Sequence, residues 1–127
     1  MKAMLMDKKQ AEEMISILTA EFHILKPKVE FSNIANVGRY SPRLHRIHIG
    51  LRCWFGTENL ILHEFAHALA YTRYGIIKNS KYRTEWHGPK FAQCLIEIIN
   101  AWYGNQEKYC WQKEYKRLQT YGPTKAR

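Results

Sequence analysis

The feature that most constrains this chain is the pentapeptide His63-Glu64-Phe65-Ala66-His67, an H-E-x-x-H motif. On a helix, histidines four apart lie one turn above each other on the same face. Both imidazoles can then reach one ion. Glu64 sits about 100° round the helix from His63, off the ion but within reach of a water bound to it. A shuffled chain with 6 His and 10 Glu in 127 residues would contain this pattern about 2% of the time, so the motif needs agreement from its context.

The context predicts a helix. Thr57 is a suitable N-cap, Glu58 suits the positive end of the helix dipole, and Gly75 is a natural C-terminal stop. On a helical wheel Leu60, His63, His67, Tyr71 and Tyr74 share one side, with Ile61, Phe65 and Leu69 opposite. A helix apolar nearly all round is buried in a core. The alternative is a buried helix carrying two hydrogen-bonded histidines. A catalytic zinc site normally has three protein ligands and one open position. His87 precedes Gly88 and Pro89, a good N-cap and first helical residue, so the helix that follows would fix it. His87 is the favoured third ligand and Glu85 the rival.

Together, His63-Glu-Phe-Ala-His67 and the later His87-Gly-Pro-Lys-Phe91 resemble the SprT-like zinc metallopeptidases, which include the Spartan-type proteases that degrade DNA-bound proteins. Upstream, Arg46-Ile-His-Ile-Gly50 resembles the strand before that family's active helix. H-E-x-x-H is common to many zincins, whereas the later H-G-x-x-F/W is more discriminating. The YgjP-like metallohydrolases, with a similar His-Gly-Pro motif, are a close second. The resemblance implies an α+β, minimal zincin-like fold, with a small antiparallel or mixed sheet against three to four helices. It implies one Zn²⁺ per chain and a single domain over 1–127. No C-x-x-C occurs, so the C-terminal zinc ribbon of many SprT proteins has no counterpart here. It also implies an extended substrate along an edge strand beside the zinc, which puts Ile47, His48 and Ile49 forward as the substrate strand.

A chain of 127 residues is expected to form one domain with a real core. Its formal charge of +9 raises the prospect of DNA or another polyanion as partner, with solubility as the plainer explanation. Cys53, Cys94 and Cys110 are odd in number and widely spaced, which argues for packing roles and against a disulfide framework. The sequence offers neither a signal-peptide core nor a run approaching 18 apolar residues, so a cytoplasmic, membrane-free protein is expected.

Along the chain, the first helix is expected from Lys8 to Leu25, with Asp7 and Gln10 as a capping box and Ala11, Met14, Ile15, Leu18, Phe22 and Leu25 as its apolar face. Pro27 is expected to end it. Short strands are expected over 29–31 and 34–40. A turn at 41–43 then leads into an alternating strand, 44–50, with His45, Ile47 and Ile49 on one side. Trp54 lies in a hydrophobic loop that would be core or pocket lining. A third helix should run from Pro89 to Tyr103 and stop at Gly104, burying Phe91, Leu95, Ile98 and Trp102. A fourth is expected over 106–120, with a frayed tail from 122.

The expected activity is hydrolysis of peptide bonds. Zn²⁺ on His63, His67 and His87 would acidify its water, and Glu64 would take the proton and return it to the leaving amine. Tyr71, Tyr74, Tyr82 and Arg83 are candidates to steady the oxyanion or touch substrate. One rival is a nucleic-acid-associated binding module whose zinc is structural, closed by His48 or Cys53. A two-metal nuclease is disfavoured because Asp7 is the only aspartate.

Overall fold

A computed structural model of the chain describes residues 6–35, 38–52, 57–75, 88–105, 107 and 109. They form an α+β arrangement: helix α1 (Lys8–Phe22), strands β1 (Lys28–Ala35), β2 (Gly38–Ser41) and β3 (Arg46–Arg52), then helices α2 (Thr57–Tyr74) and α3 (Pro89–Tyr103). The expected fourth helix and the tail lie outside the described residues, as do Cys53, Trp54 and Cys110. None of the helices among the described residues is long and apolar enough to cross a membrane.

The capping box forms as expected: the Asp7 carboxylate accepts from the Gln10 amide at 2.8 Å, and the Gln10 side chain accepts from the Asp7 amide at 3.0 Å. Ala11, Met14, Ile15 and Leu18, at helical spacing, make the buried stripe. The helix ends earlier than expected. His23 adopts a left-handed conformation, φ 55°, and its amide donates to the Thr19 carbonyl. Pro27 is therefore not the stop, and Leu25, beyond the helix, is 78% exposed rather than part of the apolar face.

The sheet is mixed, in the order β1-β3-β2. β2 and β3 form the expected antiparallel hairpin, with Tyr40 opposite Ile47, and β1 runs parallel to β3 with an irregularity between Ser32 and Ala35. Strand β3 begins at Arg46, later than the expected 44. Leu44 and His45 belong to the turn, where His45 has φ 48°. From Arg46 the alternation holds. Ile47 and Ile49 are fully buried with Tyr40 on the inner face, while Arg46 and His48 lie on the outer face.

α2 is the centre of the molecule. It packs against β2, β3, α1 and α3. Every residue from Asn59 to Leu69 is buried, as the apolar wheel predicts. Thr57 is the first helical residue rather than the cap; its hydroxyl points back to the Leu51 carbonyl at 3.5 Å. Gly75, φ 71°, closes the other end, with its amide on the Tyr71 carbonyl at 2.8 Å. α3 runs antiparallel to α2. At its far end Trp102 Nε1 and the Tyr103 hydroxyl both donate to the Glu58 carboxylate at 2.8 Å. Burial, and then the bond to Glu58, push the Tyr103 hydroxyl pKa well above its ordinary value. Cys94 is buried in the same helix pair, and burial lifts its thiol to about 11.

Candidate metal centre

His63, Glu64 and His67 are 3%, 5% and 3% exposed on an otherwise apolar stretch of α2. Burying a carboxylate and two imidazoles costs free energy unless each is partnered, and none of the three is without a partner. Such a cluster is a poor way to stabilise a core. It is the kind of local departure from packing rules that marks a functional site.

The two imidazole rings have centroids 5.0 Å apart and stand at 76° to each other. With Zn–N bonds of 2.0–2.1 Å, each ring centroid would lie about 3.2 Å from the ion, and a tetrahedral angle would put the centroids about 5 Å apart. The pair therefore fits a shared zinc ion. Neutral imidazole is the ligand form.

Phe91 holds this arrangement from the opposite helix. Its ring stacks on His67 at 4.2 Å and 26°, and meets His63 at 5.0 Å and 60°. Helical spacing predicts Phe91 to be a core residue, and it is buried. Its contact with both histidines gives the phenylalanine of the H-G-P-K-F stretch a second role, locking their rotamers. Gly88, extended at φ −84°, caps α3, and Pro89 occupies its first turn. His87 and its rival Glu85, like Tyr82 and Arg83, lie outside the described residues. Among the described residues no group of three His, Cys, Asp or Glu side chains is gathered for a metal.

The tyrosine candidates separate. Tyr71 is one turn beyond His67, partly buried, with its ring 6.3 Å from that of Tyr40. Burial, with Tyr71 nearby, raises the Tyr40 hydroxyl to about 12. Tyr74 is 41% exposed, and its ring carries Lys90 Nζ at 5.1 Å. It stands about 10 Å further along the helix than His67 and leaves the site.

Two strand assignments need correction. β3 is the central strand, paired to β1 on one side and β2 on the other. Its backbone is occupied, so Ile47, His48 and Ile49 cannot receive an extended substrate. His48 also lies on the outer face, against Ser32 Oγ at 3.1 Å and Glu30 at 3.6 Å, with the sheet between it and α2. It cannot close a tetrahedral site with His63 and His67.

Gly38, a glycine inside the strand expected over 34–40, also borders this site. It lies on β2, whose other edge is unpaired among the described residues, and its inner side abuts Leu60 and the Glu64 carboxylate. An isolated glycine inside a strand pattern is the available signal, since it often marks a close approach. Comparisons with protein-family models, with curated proteins and with solved structures find no match for this chain.

Proposed function

We propose that this chain is a zinc-dependent metallopeptidase of SprT-like type. The observation that carries the reading is the buried His63-Glu64-His67 stretch of α2, with imidazoles at a zinc-sharing separation and Glu64 beside β2, whose outer edge is unpaired among the described residues. His63 and His67 hold the ion, and His87 is the proposed third ligand. Zinc held there would acidify water and polarise the scissile carbonyl. Glu64 accepts a proton from the attacking water and returns it to the leaving amine. Tyr71 is the described residue best suited to donate to the developing oxyanion. An extended substrate would lie along the edge of β2 that is unpaired among the described residues, where backbone pairing gives sequence-tolerant binding of an unfolded segment. The charge of +9, with Lys28, Arg39 and Arg46 on the sheet's outer face, suits substrates bound to nucleic acid or another polyanion.

The test is zinc stoichiometry on the purified protein, joined to cleavage of an unfolded protein such as casein. One zinc per chain and hydrolysis are expected. Glu64→Gln should keep the metal and fold and lose on the order of 10²–10⁴ in rate. Zinc binding without hydrolysis of any unfolded substrate would favour a structural metal site instead, and full turnover by Glu64→Gln would remove Glu64 as general base.

A further inference from the structure

Gly38 has an ordinary, negative-φ backbone, unlike Gly75 and Gly104. Conformation therefore does not demand a glycine at this position; space does. A Cβ here would collide with the Leu60 side chain and stand 2.9 Å from Glu64 Oε2. Real Cβ atoms do not approach other heavy atoms that closely, so a side chain must displace one neighbour or both. Leu60 and Glu64 are four apart and share one face of α2, and Gly38 rests on both. On its other edge Gly38 pairs with Ile49 of β3, so the strand cannot retreat without breaking the hairpin register. Glu64 cannot easily swing away either, because it is 5% exposed in a close-packed helix.

We infer that Gly38 is a positioning residue: its bare Cα is the seat of the Glu64 carboxylate and sets the distance between that carboxylate and the outer edge of β2, which is unpaired among the described residues. This rests on the peptidase reading above. A general base must stand within hydrogen-bond reach of the proton it takes, and a 1 Å misplacement can cost about 10²-fold. One glycine thus couples two parts of the reaction, the carboxylate that moves the proton and the edge that holds the substrate.

The experiment compares wild type, Gly38→Ala, Leu60→Ala and the double variant. It measures Tm, zinc content, kcat and KM on an unfolded protein, and the ¹³Cδ resonance of Glu64, assigned by its loss in Glu64→Gln. Gly38→Ala alone should lower Tm, because its methyl group meets Leu60. In the Leu60→Ala background that collision is gone, so adding Gly38→Ala should change Tm little. It should still lower kcat about a hundredfold with KM nearly unchanged and zinc retained, and it should shift the Glu64 resonance. If kcat recovers together with Tm in the double variant, the glycine only accommodates Leu60 and the inference is overturned. Should zinc-loaded wild type hydrolyse nothing, the peptidase reading falls and the resonance alone decides. A Glu64 signal that moves in Gly38→Ala supports the seating, and one that stays fixed overturns it.

Discussion

Two pairs of histidines lie close in sequence and have opposite fates. His63 and His67, four apart on a helix, converge to 5.0 Å between rings and are sealed in the core. His45 and His48, three apart across a turn and a strand, part company. The Nε2–H of His45 donates to the Leu25 carbonyl at 2.7 Å, and its Nδ1 accepts from the Tyr40 hydroxyl at 2.7 Å. That uses both nitrogens on structure. His48 is turned to the outer face with Ser32 and Glu30. Residue type is the same in the two pairs, and their separations differ by a single residue. Backbone period decides: 3.6 residues per turn brings i and i+4 together, while a period of two sends alternate strand residues to opposite faces.

The comparison breaks most sharply at the helix pair. Replacing His63 or His67 by Ala should abolish zinc binding at neutral pH and take hydrolysis to background. Losing an outer-shell partner of a ligand already costs about 10–100-fold, and losing the ligand itself should cost more. Metal content after dialysis checks this. Retention of stoichiometric zinc by His67→Ala would remove the helix pair as the site.

Phe91→Ala comes next. It removes a fully buried ring and should cost about 3–5 kcal/mol, a large share of a typical domain's stability. Because that ring packs on both imidazoles, zinc affinity should fall as well, by about tenfold. Denaturant unfolding with and without added zinc separates the two effects. A loss of stability with unchanged zinc affinity would mean that Phe91 is core alone.

The hairpin pair is sharpened by alkaline pH. The Tyr40 hydroxyl is raised from 10.0 to about 12, mainly by burial. The folded chain therefore keeps a proton that the unfolded chain has lost. Stability from this group is complete below pH 10 and falls as pH rises toward 12, by on the order of 2–3 kcal/mol. Cys94 and Tyr103 shift in the same direction, so the informative quantity is a difference. Tyr40→Phe should flatten the slope of unfolding free energy between pH 10 and 12 relative to wild type. An unchanged slope would mean that Tyr40 does not carry it.

Much of the fold is legible from local chemistry. The Asp7–Gln10 box, the Gly75 stop and the Gly88-Pro89 to Gly104 span of α3 each rest on a few adjacent residues, and each appears where those residues direct. The buried face of α2 follows from its apolar composition. Sheet order was not legible, because nothing local to β3 says that β1 will return parallel beside it and take its second edge. Among the described residues, that long-range pairing leaves the open edge on β2 and not on Ile47–Ile49. Leu25 failed for a related reason. Helical periodicity runs on in the sequence past the point where His23 adopts φ 55°, and the Leu25 carbonyl is drawn to His45, twenty residues away. At the site, the motif histidines and Glu64 could be read from spacing, whereas the contact with Gly38 requires two distant elements to meet.

The smallest expected effect is at His48, and it tests the face assignment most cleanly. His48 Nδ1 stands 3.6 Å from Glu30 Oε1; the Glu30 side chain is half exposed, and its other oxygen is paired with Arg46 at 3.0 Å. Exposed pairs of this kind contribute about 0–1 kcal/mol, and Arg46 remains to satisfy Glu30. Unfolding free energy should therefore change by no more than about 0.5 kcal/mol in His48→Ala. Zinc stoichiometry and affinity should not change, because Ile47 and Ile49, not His48, face α2. The same substitution at His63 or His67 is expected to abolish zinc binding. If His48→Ala weakened zinc binding as they do, the strand would have to present its other face to α2. A one-residue slip of β3 would then be required, and that slip would also carry Ile47 and Ile49 out to solvent. Unchanged zinc affinity in His48→Ala, beside its loss in His67→Ala, is the outcome that the buried positions of Ile47 and Ile49 demand.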